Sequence, residues 1–126
     1  MQSALTDFFE RQADIRLAIL FGSAASDRLQ ADSDVDVAVL AEQPLNAARK
    51  AELMSALALI TGRPIDLIDL KTTGQPLLGQ ILQGRQLKGS TDLLAQLAYR
   101  NVIERSDFLP LIERSLAQRR RAWIQA

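Results

Sequence analysis

The apolar positions along this chain change period several times, and each change marks an element. In SALTDFFERQA, Leu5, Phe8 and Phe9 recur at helical spacing, with Ser3 or Thr6 available as caps. IRLAILF, residues 15–21, is apolar almost throughout, which predicts a strand in the interior of a sheet. SDVDVAVL, residues 33–40, alternates polar and apolar positions and predicts a second strand. PLNAARKAELMSALALITG, residues 44–62, returns to helical spacing, with Pro44 near its first turn and Gly62 just past its end. PIDLIDL, residues 64–70, predicts a third strand, and GQPLLGQILQG, residues 74–84, a shorter helix closed by Gly84. RQLKG, residues 85–89, reads as a brief edge strand. From Ser90 onward the spacing is helical, with Ser90, Thr91 or Asp92 at the cap and a break near 106–110, where Pro110 cannot sit mid-helix without a kink.

This order of elements predicts an α/β (α+β) fold, a small mixed β-sheet flanked by helices with a C-terminal helical extension. With 126 residues and 48% hydrophobic content, the chain has material for one core and not for two. The expected organisation is a single domain over 1–126, with its core in about 1–89 and C-terminal helices over about 90–126. No repeat or low-complexity linker interrupts it.

The second strand raises a question of charge. Asp34 and Asp36 sit one residue apart, so on a strand they face the same side with Cα atoms about 7 Å apart, while Val35, Val37 and Val39 take the other. Two carboxylates this close repel, and removing them from water is costly. Either the strand lies on an edge and both are solvated, or a divalent cation offsets the repulsion, as at sites that hold magnesium beside a nucleoside triphosphate. Gly22-Ser23 directly follows the first strand. It is either an ordinary turn or a place where close backbone approach, free N–H groups and the Ser23 hydroxyl receive phosphate oxygens.

Composition narrows the chemistry. The chain has no cysteine and no histidine, which excludes a disulfide framework, a zinc site of the usual ligands and a histidine-activated nucleophile. A metal would have to be held by oxygen: magnesium, manganese or calcium. The formal net charge is zero, which argues against direct nucleic-acid binding. The charge is unevenly spread, with 11 acidic and 6 basic residues in positions 1–70 and 4 and 9 in 71–126. No apolar run approaches the roughly 20 residues of a membrane span, and the amphipathic N-terminus is not a secretory leader, so a cytoplasmic protein without a membrane association is expected.

Gly22-Ser23, ten intervening residues and Asp34-Val35-Asp36, each part preceded by a strand, resemble the signature of the minimal nucleotidyltransferases of the DNA polymerase β superfamily. From average residue usage, such a spacing arises by chance in a chain of this length with a probability on the order of 10⁻³. The resemblance runs from about residue 5 to residue 90. That family uses a third carboxylate on a later strand in a segment like VDLVDL, here IDLIDL. Asp66 and Asp69 are three apart and face opposite sides of a strand, so only one can join the cluster; the family pattern selects Asp66. The chain departs from the family where GSRARG is common, reading GSAASD instead, with Arg28 nearby as a possible substitute.

The resemblance implies transfer of a nucleoside monophosphate from ATP to a hydroxyl. Asp34, Asp36 and Asp66 would be the catalytic and metal-binding carboxylates holding two Mg²⁺ ions, and Gly22 and Ser23 the nucleotide-binding pair. It also implies an antitoxin of a toxin–antitoxin pair whose partner is a helical HEPN-type ribonuclease toxin, with a tyrosine of that toxin as the adenylylated group. Two alternatives remain open: an antitoxin of the same fold that neutralises its partner by binding alone, and a small-molecule nucleotidyltransferase. In the C-terminal stretch, Phe108, Leu109, Ile112, Leu116 and Trp123 form an apolar stripe beside Arg119, Arg120 and Arg121. That stripe either docks on the partner or packs on its own domain.

Overall fold

A computed structural model describes residues 1–25, 33–73 and 77–104. The elements are α1 (Gln2–Glu10), β1 (Ile15–Phe21), a 3-10 turn (Gly22–Ala24), β2 (Val35–Ala41), α2 (Ala47–Thr61), β3 (Ile65–Asp69), α3 (Leu77–Leu82), β4 (Arg85–Lys88) and α4 (Thr91–Glu104). The four strands form one sheet in the order β3-β2-β1-β4. β1 runs antiparallel to β2 and β4, and β2 runs parallel to β3, with α2 as the crossover that parallel pairing requires. The mixed sheet, the interior position of β1 and the edge position of β4 match the sequence expectation.

Strand alternation sorts the core into two clusters, one on each face. Ala18, Leu20, Val35, Val37, Val39, Ile65 and Leu67 pack with Leu5 and Phe9 of α1 and Leu53 and Leu57 of α2. Leu17, Ile19, Phe21 and Ala38 pack with Leu78 and Ile81 of α3 and Leu97 of α4. Each of these large side chains that is fully buried contributes about 1.5–3 kcal/mol relative to exposure. Ile15 and Leu17 would share a face on a regular strand, yet they fall in different clusters. The pairing of β1 with β2 slips between them, Ile15 opposite Ala41 and Leu17 opposite Leu40. This bulge turns Ile15 to the α1/α2 core, where regular alternation would have set it beside Leu17.

Helix ends differ from expectation in two places. α1 begins immediately after Met1, so Ser3 and Thr6 lie inside it; the Thr6 hydroxyl donates to the Gln2 carbonyl instead of capping. Pro44 lies outside α2, whose cap is Asn46: its side-chain oxygen accepts from the Arg49 N–H at 2.7 Å. Gly62 ends α2 in the left-handed conformation, φ +68°, as its position predicts. Ser90 caps α4, its hydroxyl accepting from the Leu93 N–H at 3.2 Å.

Polar ties then fix the helices. The Arg49 guanidinium donates to both Asp14 oxygens, at 2.7 and 3.0 Å, and this pairing holds the Asp14 carboxyl below its ordinary value. Arg100 of α4 donates to the carbonyls of Leu70 and Thr73, pinning that helix to the end of β3. Among the described residues no helix is long and apolar enough to cross a membrane. The expected break near 106–110, the apolar stripe, the three arginines 119–121 and Arg28 lie outside the described residues.

Gly84 joins α3 to β4 where the chain presses on β1. A Cβ there would stand 2.4 Å from the Leu20 carbonyl oxygen and 2.8 Å from Ile19 Cγ2. The nearest atom is backbone in a central strand and cannot step aside. Gly84→Ala should therefore lower stability by about 1–3 kcal/mol, read as a shift of the denaturant midpoint at unchanged slope. An unchanged midpoint would mean that β4 can move away from β1 at little expense.

Candidate active site

The site is built where the end of β1 meets the beginnings of β2 and β3. Phe21, the last residue of β1, lies opposite Asp36, and Asp36 in turn lies opposite Asp66 across the parallel pair. Register alone thus places two carboxylates side by side. By alternation both belong to the α3/α4 face of the sheet, since Val35, Val37, Ile65 and Leu67 turn to the α1/α2 core. Asp34 immediately precedes β2 and is exposed, Asp66 is exposed, and Asp36 is half-buried.

Gly22 closes the arrangement. It follows β1 directly at φ +71°, opening the single 3-10 turn that carries Ser23. A Cβ at Gly22 would stand 2.3 Å from Asp36 Oδ2. The backbone therefore passes against this carboxylate at a distance that only glycine permits, in a conformation that glycine adopts readily. Ser23 is half-buried beside it.

The electrostatics follow from this crowding. Burial pushes the Asp36 carboxyl above its ordinary value, and the negative charges of Asp66 and then Asp34 push it further in the same direction. The pair is a place where a positive charge would be stabilising.

Asp69 has a different fate. It turns to the other side of β3, where its Oδ2 accepts from the Leu45 N–H at 3.0 Å and its Oδ1 from the Lys71 N–H at 2.9 Å. It knots the end of β3 to the segment leading into α2. The structure thus brings Gly22, Asp36 and Asp66 together, keeps Asp34 close enough for its charge to act on Asp36, and separates Asp69 from all of them.

Next to Gly22 the surface opens into a cleft of about 310 Å³, lined by Gly22, Ala25, Gln80, Gln83 and Gly84. The two glutamines were not singled out in the sequence. They are ordinary exposed positions on a short helix and its turn, and only the packing of Gly84 on β1 brings them to the site.

Comparison with known proteins bears on the family and the fold. The profile of the polymerase beta nucleotidyltransferase family matches residues 3–92, and the chain belongs to that family. The protein adenylyltransferase MntA of Shewanella oneidensis is 36% identical over 77 residues, which is 60% of this chain and 55% of MntA, so the match spans little more than half of that relative. Among solved structures, a chain from a toxin–antitoxin crystal structure with AMP-PNP is similar at a TM-score of 0.72 and 26% identity, over 99% of this chain and 97% of the other. A chain from the complex of the tri-AMPylated Shewanella oneidensis HEPN toxin with its MNT antitoxin is similar at a TM-score of 0.64 and 26% identity, over 99% and 97% of the two chains. A minimal nucleotidyltransferase structure reaches 0.54 at 26% identity, over 66% of this chain and 84% of the other.

The raised Asp36 value has a consequence for stability. A carboxyl whose folded-state value lies above its unfolded one holds its proton more tightly when folded, so the folded state loses stability as pH rises from the unfolded value, about 3.8, through the raised folded one. Below that window the penalty is absent; above it the penalty is complete. Asp36→Asn should therefore be more stable than wild type at pH 7 without added metal, and the difference should shrink toward pH 3.5 in paired thermal melts. A pH-independent difference would show that Asp36 pays no electrostatic penalty in the fold.

Proposed function

We propose that this protein transfers AMP from ATP to a hydroxyl of a partner protein, as the antitoxin of a toxin–antitoxin pair, with a tyrosine of a HEPN-type ribonuclease toxin as the acceptor. The observation that carries this reading is the Asp36–Asp66 pair set side by side by strand register, with Gly22 pressed against Asp36. Family membership supports nucleotidyl transfer, and the similarity to MntA and to the toxin–antitoxin complexes supports the protein acceptor and the partner. The absence of cysteine suits a reducing, cytoplasmic setting.

The reaction asks the chain to hold ATP with its α-phosphorus exposed to the acceptor. The acceptor oxygen forms a bond to the α-phosphorus, the bond from that phosphorus to the bridging oxygen breaks, and pyrophosphate leaves with the electron pair. The hydroxyl proton passes to a carboxylate, a role we assign to Asp66, and from there to water. Gly22 and Ser23 receive phosphate oxygens from the backbone turn and the hydroxyl. Positioning and charge neutralisation supply most of the rate, so no covalent nucleophile on the protein is needed.

The donor set fits magnesium. Among the described residues no group of three or more acidic side chains stands ready-arranged as a metal cage. The fit rests instead on chemistry: the donors are all oxygen, and strand register sets the like charges of Asp36 and Asp66 side by side, where a cation offsets their repulsion. Asp34, Asp36 and Asp66 would hold the ions. Magnesium bound there supplies positive charge to the phosphates and lowers the pKa of the acceptor hydroxyl.

Intact-mass measurement of the partner after incubation with this protein, ATP and magnesium tests the proposal. Wild type should add one or more AMP units, and Asp34→Ala/Asp36→Ala should add none. If no adduct forms and the double variant protects cells as well as wild type, neutralisation is by binding alone.

The two β3 aspartates should separate in the same assay. Asp66→Ala should cut AMP transfer by two orders of magnitude or more while melting near the wild-type temperature. Asp69→Ala removes the acceptor of two backbone N–H groups and should destabilise by about 1–3 kcal/mol while the folded fraction keeps its activity. The reverse assignment would overturn the roles given to these residues.

A further inference from the structure

We propose that Tyr99 is itself an acceptor of AMP, delivered by the carboxylate site of a second copy of this chain, so that the protein modifies its own α4 between molecules. The inference rests on the nucleotidyl-transfer reading and deepens it by naming a second substrate. Tyr99 is the chain's single tyrosine and is 70% exposed. α4 turns Leu93, Leu94 and Leu97 to the sheet. Tyr99 follows Leu97 by two residues, about 200° round the helix axis, and so stands on the side away from the sheet. Among the described residues its hydroxyl makes no hydrogen bond.

The phenol is presented from a fixed support. Arg100, the next residue, donates to the carbonyls of Leu70 and Thr73 and ties α4 to the end of β3. Ala95, one turn before Tyr99, and Ala98 beside it are exposed and small, so they leave the ring clear. An acceptor on an anchored helix loses little backbone freedom on entering a catalytic site. Charge favours the encounter as well. Residues 93–103 contain no aspartate or glutamate, so Asp34, Asp36 and Asp66 of an approaching molecule meet no like charge from this stretch.

The attachment of α4 makes the transfer one between molecules. Asp66 lies near the beginning of β3 and Leu70 just past its end, four residues on, about 13 Å at the rise of a strand. Tyr99 is beside the Leu70 end with its ring turned away from the sheet, out of reach of the carboxylates of its own chain. Those of a second copy can meet it. The phenolic oxygen forms a bond to the α-phosphorus of ATP, the bond from that phosphorus to the bridging oxygen breaks, and pyrophosphate leaves with the electron pair. The phenolic proton passes to a carboxylate of the second copy and then to water. The product gives this part of α4 a negative charge that its sequence lacks.

Intact-mass measurement of the full chain after incubation with ATP and magnesium, with no other protein present, tests this. Wild type should gain one AMP, with an initial fractional rate that rises in proportion to chain concentration. Tyr99→Phe should gain none, melt near the wild-type temperature and still adenylylate the partner toxin at the wild-type rate. In a mixture, Tyr99→Phe supplies an intact site and Asp66→Ala an intact acceptor, so the adduct should appear on the Asp66→Ala chain alone. An adduct that persists in Tyr99→Phe, or a fractional rate independent of concentration, would overturn the proposal. A partner that gains AMP while the chain never does would overturn it too and leave nucleotidyl transfer standing. If neither protein gains AMP, both readings fall.

Discussion

The parallel register of β2 and β3 is the constraint on which the rest of this molecule turns. It sets Asp36 against Asp66, and the two cannot relax apart, because the same register seats Val35, Val37, Ile65 and Leu67 in the core on the other face. Sliding either strand by one residue would exchange buried valines for carboxylates across a whole face. The hydrophobic interior thus holds in place an electrostatic repulsion that the site by itself would relieve. Asn46 and Gly62, at the two ends of α2, belong to the same device, since they set where the crossover helix starts and stops and hence where β3 begins.

The two faces of the sheet divide the labour. The α1/α2 face is closed by Leu5, Phe9, Leu53 and Leu57 and holds the register. The α3/α4 face carries the carboxylates at one end and the cleft beside them. Asp69 shows how sharp the division is. Three residues from Asp66 on the same strand, it falls on the structural side, and its oxygens are taken up by backbone N–H groups.

Much of this was legible in the sequence, for definable reasons. Alternation along 33–40 and 64–70 gave the strands and separated Asp66 from Asp69, because period 2 is a local property of the backbone. The unbroken apolar run 15–21 marked β1 as interior. The spacing from Gly22-Ser23 to Asp34-Val35-Asp36 ties the end of β1 to the beginning of β2. What was not legible depended on contacts distant in sequence. The bulge between Ile15 and Leu17, which turns Ile15 to the α1/α2 core, has no local signature in the apolar run. Asn46 displaced Pro44 at the start of α2 because a side chain that accepts from Arg49 N–H outweighs a merely permissive ring. Gln80 and Gln83 have no local signature at all, and only the contact of Gly84 with β1 puts them beside Gly22.

The β4 edge has a bearing on solubility. A sheet that ends in an open strand offers a template on which another chain can lengthen it, the first step toward fibrils. Here the exposed margin is only four residues long, carries Arg85 and Lys88, and slips in its pairing with β1 between Ala18 and Ile19. Lys88 is further held by its ammonium donating to the Gln12 carbonyl at 2.8 Å. A strand so short, charged and irregular is a poor seed for copies of the sheet to stack along.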